Sequence, residues 1–213
     1  MQTQNSQVTA AQILSLFFIL KLARHGNAPK VEGKTDRERA LSEKGRAQAE
    51  SIRQKQEVEI YDFVGASPFT RAQETTEIVT GQKPVILDSL DMSDNPSDPL
   101  NVMFGKYGYA PLSTYFDDEN GEYLKQYGRN VLREIVARAS AVKPASRRAR
   151  VFIGGHAVCQ AAALWAIAEV LVDGGIESGN ELMRQALEVN QGEAEVLVVL
   201  FSNYSAAVSV LKP

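Results

Sequence analysis

The run SLFFILKLA, Ser15 to Ala23, constrains this chain more than any other stretch. It is short for a membrane span, which takes about 20 apolar residues. It is also too continuous for a half-exposed strand, which would alternate apolar and polar positions. It therefore reads as a first strand buried on both faces, the kind found in parallel sheets covered by helices. The apolar stretch reaches back to Ala10, but no Lys or Arg precedes it, Gln12 and Lys21 interrupt it, and no cleavage site follows, so it does not read as a signal peptide. The polar leader, residues 1–15, is expected to be disordered or a short helix, and 16–213 to form one domain.

The rest of the chain repeats the theme. LSEKGRAQAESIRQK carries a helical pattern with Ser42 as its cap; EIYDFVGASP reads as a strand stopped by Pro68. TRAQETTEIVTG is a helix ended by Gly81, and KPVILDSL a third strand. Periodicity is lost from about Asp91, so residues 91–127 are expected to form an irregular insertion rich in tyrosine. EYLKQYGRNVLREIVARASAVK is a long amphipathic helix. ARVFIGGH is a continuous apolar strand, AVCQAAALWAIAEVLV a nearly buried helix and NELMRQALEVN another. AEVLVVLFSN and AAVSVL close the chain as a hairpin. Strands alternating with helices predict a three-layer α/β/α sandwich with a mostly parallel sheet and an antiparallel edge.

In such sheets ligands sit beyond the carboxyl ends of the strands. Arg24-His25, the segment Ser67 to Arg71, and His156 all fall just past predicted strand ends. The chain has only two histidines, and both are in this set. Arginine forks match phosphate oxygens, and a neutral imidazole is a good nucleophile at physiological pH. Histidine attack on phosphorus would divide a difficult transfer into two steps, leaving the arginines to steady the charge.

These residues carry a resemblance. LARHG, LSEKGRAQA, ASPFTRAQET and VFIGGH, in that order, resemble the landmarks of the histidine phosphatase superfamily, also called the phosphoglycerate-mutase-like family. The resemblance implies that His25 is the nucleophile that becomes phosphorylated, with Arg24, Arg71 and His156 around the phosphoryl group. Asn27 and Ser67 are expected to add phosphate contacts. Asn27-Ala28 after Gly26 resembles the short bacterial branch that includes phosphohistidine phosphatases, and departs from the mutase pattern. Gly155 and Ala157 flank the second histidine where Ser and Gly are commoner. Asp91 is the candidate general acid, with a solvated loop carboxylate as the other reading; Asp94 is a weaker candidate. The tyrosine-rich insertion reads equally as a lid selecting substrate or as a satellite core.

Other readings carry less. VEGKT lacks the glycine that a phosphate-binding loop needs at position 28. Cys159 sits in an apolar helix, and Trp165 stands where a cysteine-based phosphatase would place an arginine. Two histidines without nearby cysteines or a tight carboxylate cluster argue against a zinc site, so neither metal nor cofactor is expected. KPASRRAR reads as a solvated turn. A net charge of -3 offers no global field for nucleic acid or an anionic membrane, and a single cysteine fits a reducing cytoplasm. The expectation is a metal-independent phosphatase acting on a small phosphoester or a phosphorylated protein. A phosphomutase and a non-catalytic phospho-ligand binding module are the alternatives, and oligomeric state stays open.

Overall fold

The computed structural model describes residues 7–56 and 60–213, so the start of the leader lies outside the described residues. Six strands form one sheet in the order β3-β2-β4-β1-β5-β6. They are β1 (Phe17–Arg24), β2 (Phe63–Ala66), β3 (Val85–Ile86), β4 (Ala149–Gly155), β5 (Val196–Phe201) and β6 (Ala206–Leu211). β1 pairs in parallel with β4, β4 with β2 and β2 with β3, whereas β5 runs antiparallel to both β1 and β6. The α/β fold with an antiparallel edge therefore stands as read. The central strands β1 and β4 are buried almost throughout, as their continuous apolar sequences require.

Helices cover both faces. α2 (Glu43–Lys55) and α3 (Thr70–Thr80) close a small core around Ala23, Ile52, Val64 and Phe152. Ser42 caps α2, its Oγ accepting from the Gly45 N–H at 3.1 Å, and α3 stops at Gly81 in the left-handed region (φ 69°). The other face carries the larger core, built by α1 (Ala10–Leu16), α6 (Gly121–Ser140), α7 (Ala157–Asp173) and α8 (Ser178–Glu188). α7 is buried on nearly every side.

Two expectations need correction. The third strand is only two residues long and passes into a 3-10 turn at Asp88–Leu90, because Leu87 and Leu90 turn into the core instead of continuing along the sheet edge. The 91–127 segment is not wholly irregular. It holds α4 (Pro99–Tyr107) and α5 (Leu112–Phe116) and the start of α6. A local start signal for α4 is present in the sequence: Asp98 caps the Leu100 N–H and Pro99 takes the first turn. Tyr115 is buried there against Phe104 and Tyr107, and Phe116 packs edge-on to Trp165 at 5.0 Å. That part of the insertion is continuous with the larger core and does not form a separate satellite core.

Candidate active site

Register brings the two histidines together. Arg24 lies opposite Gly155 on the neighbouring parallel strand, and the His25 N–H donates to the Gly155 carbonyl at 3.0 Å. Each strand ends at that level, so His25 and His156 leave the sheet side by side, with ring centroids 5.3 Å apart. β2 ends on the other side of β4. There the Ser67 N–H donates to Gly154 at 2.9 Å and the chain turns into α3, which presents Arg71. Close approach of α3 to β4 depends on Gly154, where a Cβ would sit 1.8 Å from Thr76 Oγ1. α3 also braces the turn after the first histidine, since Thr75 Oγ1 accepts from the Gly26 N–H at 3.0 Å.

The tautomer of His25 follows from its partners. Nδ1 lies 2.7 Å from the Gly26 carbonyl oxygen, which can only accept, so Nδ1 carries a proton. Nε2 accepts from Arg71 Nε at 3.1 Å. Burial, reinforced by Arg71, lowers the His25 pKa from 6.5 to about 3, so the ring is neutral at physiological pH with its lone pair on Nε2. His156 is pushed well below its usual range too, by burial first and then by His25 and Arg71. Its Nε2 pairs with Ser67 Oγ at 3.2 Å, and Phe69 packs edge-on against its ring at 4.8 Å.

The arginines are held by other elements. Arg24 donates from Nη1 to the Gln191 carbonyl at 2.7 Å, and its guanidinium lies 4.5 Å from the Tyr109 ring centre. Arg71 is almost wholly buried, its guanidinium against Phe69 and bonded to Asp36. A pocket of about 430 Å³ is lined by Arg24, His25, Arg71 and His156, together with Asp36, Arg39, Tyr109 and Glu193. A second cleft of about 580 Å³ shares Asp36 and Arg39 with it.

The structure thus brings together four of the expected residues, His25, His156, Arg24 and Arg71. Ser67 touches His156 and does not line the pocket. Asn27 is committed to protein partners: Nδ2 donates to Glu193 at 2.8 Å and Oδ1 accepts from Ser42 at 2.7 Å. Asp91 is not brought to the histidines. It forms an ion pair with Arg37 at 2.6 Å on the exposed side of the loop, and Asp94 lies 3.5 Å from the same arginine. Arg37 thus holds both carboxylates in one ion-paired cluster.

Sequence reasoning missed Asp36, Arg39 and Glu193. Asp36 and Arg39 lie in the polar loop between β1 and α2, which carries no local signal. Glu193 arrives from the loop before β5 and had no local signal. Hydrogen bonds from Asn27, Gln48 and Lys44 outweigh its burial and hold its pKa low. Among the described residues no cluster of three or more His, Cys, Asp or Glu is arranged to hold a metal ion, and no helix is long and apolar enough to cross a membrane.

A sheet with two neutral histidines and three arginines at its carboxyl end defines a class that the comparisons then narrow. The family model of the histidine phosphatase superfamily, branch 1, matches residues 20–91. No curated protein sequence matches the chain significantly. Among solved structures, a candidate phosphohistidine phosphatase SixA from Agrobacterium tumefaciens is 19% identical, with TM-score 0.51 over 92% of this chain and 98% of that one. Phosphoserine phosphatase from Entamoeba histolytica, solved with 3-phosphoglyceric acid, is 17% identical, with TM-score 0.56 over 92% of this chain and 96% of that one. A mycobacterial glucosyl-3-phosphoglycerate phosphatase, solved with VO3, is 17% identical, with TM-score 0.58 over 91% and 98%. As its motifs imply, the chain resembles the histidine phosphatase superfamily in sequence over residues 20–91 and in fold over nearly its whole length.

Proposed function

We propose that this chain is a metal-independent phosphatase that hydrolyses a phosphomonoester or a phosphohistidine through a covalent phosphohistidine at His25. The observation that carries the reading is the fixed tautomer of His25, whose Nε2 lone pair lies in a pocket walled by arginines. In the first step that lone pair forms a bond to phosphorus while the bond to the leaving group breaks with its electron pair. The leaving group takes up a proton. Water then attacks phosphorus, the N–P electron pair returns to Nε2, and inorganic phosphate departs. Arg24, Arg39, Arg71 and His156 are the donors available to the equatorial oxygens. With Ser67 giving its proton to Nε2 of His156, Nδ1 carries the ring proton that the phosphoryl group needs.

Phosphohistidine is favoured among the substrates by one feature. Neither pocket carboxylate is placed to act as an acid: Asp36 is ion-paired to two arginines and Glu193 is held ionised by its donors. A substrate with a good leaving group depends least on such an acid. The second cleft leaves room for a large leaving group. Residues 16–213 act as the working unit in this reading, and the lone buried Cys159 suits a reducing cytoplasm.

The test is phosphate release, in EDTA, from a panel of sugar phosphates, nucleotides and a phosphohistidine peptide, with His25→Ala beside the parent. Release by the parent alone supports the reading. Release that survives in the folded variant, or that vanishes from the parent in EDTA, overturns it.

A further inference from the structure

We propose that Asp36 is a built-in anion that fills the arginine pair of the empty site and is displaced when phosphate binds. The inference rests on the phosphatase reading above and says what governs the grip of that site on its product.

Asp36 lies in the loop between β1 and α2. Its carboxylate bridges two guanidinium groups, Oδ1 lying 2.6 Å from Arg39 Nη2 and Oδ2 2.8 Å from Arg71 Nη2. The arginines are fixtures of the fold, with side chains 16% and 3% exposed, whereas the Asp36 side chain is 46% exposed. The partner open to solvent is therefore the carboxylate. Arg71 also donates from Nη1 to the Asp36 backbone carbonyl at 2.5 Å, and Arg39 from Nη1 to the Ala28 carbonyl at 2.8 Å. Those main-chain bonds do not involve the carboxylate, so both arginines keep an anchor when it swings out.

A carboxylate between two guanidiniums uses the same charge-assisted geometry as a phosphoryl group, with two oxygens in place of three. It also leaves a donor unmet, because Nε of Arg39 is buried without a partner. Charge points the same way. Three arginines face two carboxylates, Asp36 and Glu193, around the pocket, an excess of one positive charge. With Asp36 turned out the excess is two, which matches a phosphate dianion. Left in place, Asp36 would repel that dianion across the same arginine pair. Phosphate must therefore compete with an internal anion, which weakens its hold and favours its release.

The experiment is calorimetric titration of the full chain with inorganic phosphate, for the parent, Asp36→Asn, Asp36→Ser and Asp36→Glu. The uncharged variants are expected to bind phosphate roughly fivefold more tightly. Asp36→Glu, which keeps the charge, should stay near the parent. Unchanged or weaker binding in folded Asp36→Asn and Asp36→Ser overturns the proposal and makes Asp36 a residue that orients the arginines. Failure of both variants to fold overturns it as well, since an exchangeable carboxylate is not required by the fold. Phosphate binding by the parent that is insensitive to Asp36 sinks this proposal alone, whereas absence of any phosphate binding, in parent and variants alike, sinks the phosphatase reading with it.

Discussion

Arg71 Nε and His25 Nε2 lie 3.1 Å apart, the guanidinium donating and the imidazole accepting. A permanently charged donor at that nitrogen keeps the lone pair aimed into the pocket and penalises its protonation. An arriving phosphoryl oxygen can take over the same N–H, and the lone pair is then released for attack. In the proposed reaction Arg71 would thus prepare His25 for attack as well as hold the phosphate.

Arg71→Ala should lower kcat/KM by roughly a thousandfold, while Arg71→Lys should recover little of it, because an ammonium lacks the planar fork that serves both Nε2 and the phosphoryl oxygens. Steady-state kinetics on the best substrate of the panel decides this. Full activity with lysine would mean that charge alone matters at this position.

The depressed histidines predict a pH dependence of stability. His25 titrates near 3 in the folded chain, His156 is also well below its usual value, and an unfolded histidine titrates at about 6.5. Below about 6.5 the unfolded chain binds protons that the folded chain does not, so stability falls as pH drops through that window. Urea midpoints measured from pH 7.5 down to pH 4 should fall for the parent and fall less for His25→Gln. Identical slopes would show that His25 is not buried neutral.

Ser67 touches His156 and, in the proposed reaction, would act through it. Ser67→Ala should lower kcat about tenfold with little change in KM, since it frees the second imidazole to turn without removing a phosphate contact. A rise in KM with kcat unchanged would instead put the serine against the substrate.

Asp91→Asn should change kcat/KM by no more than about twofold, the usual range for an exposed ion pair. A large loss, deeper for substrates with poor leaving groups, would restore this aspartate as the acid.

Gly26 and Gly45 meet where the turn after His25 crosses the first turn of α2. A Cβ on Gly45 would lie 2.2 Å from the Asn27 carbonyl oxygen, and one on Gly26 2.6 Å from that of Gly45. Neither neighbour is a side chain that can swing away. Gly45→Ala should therefore cost about 2–4 kcal/mol in chemical denaturation and reduce activity by shifting the histidine turn.

The layered fold and the grouping of His25, His156 and Arg71 follow from residue order. Short continuous apolar runs closed by turn residues, FFILKLA and VFIGG, read as strands buried on both faces, and a parallel sheet delivers the residues after them to one edge. His25 and His156 were legible for that reason: each ends such a run, and strand register carries the turn that follows. Arg71 was legible because a short strand stopped by Pro68 leads straight into its helix. The tertiary structure alone decided which charged side chains complete the pocket. Asp91 stood at a suitable point in the chain, but Arg37 pairs with it in space. Asn27 lies two residues after His25, yet Glu193, 166 residues away, takes its amide. Asp36 and Arg39 sit in a polar loop whose sequence shows no period, and only packing against Arg71 gives them a place. Burial patterns are local and written in residue order, whereas ion pairs between loops depend on distances that only the folded chain sets.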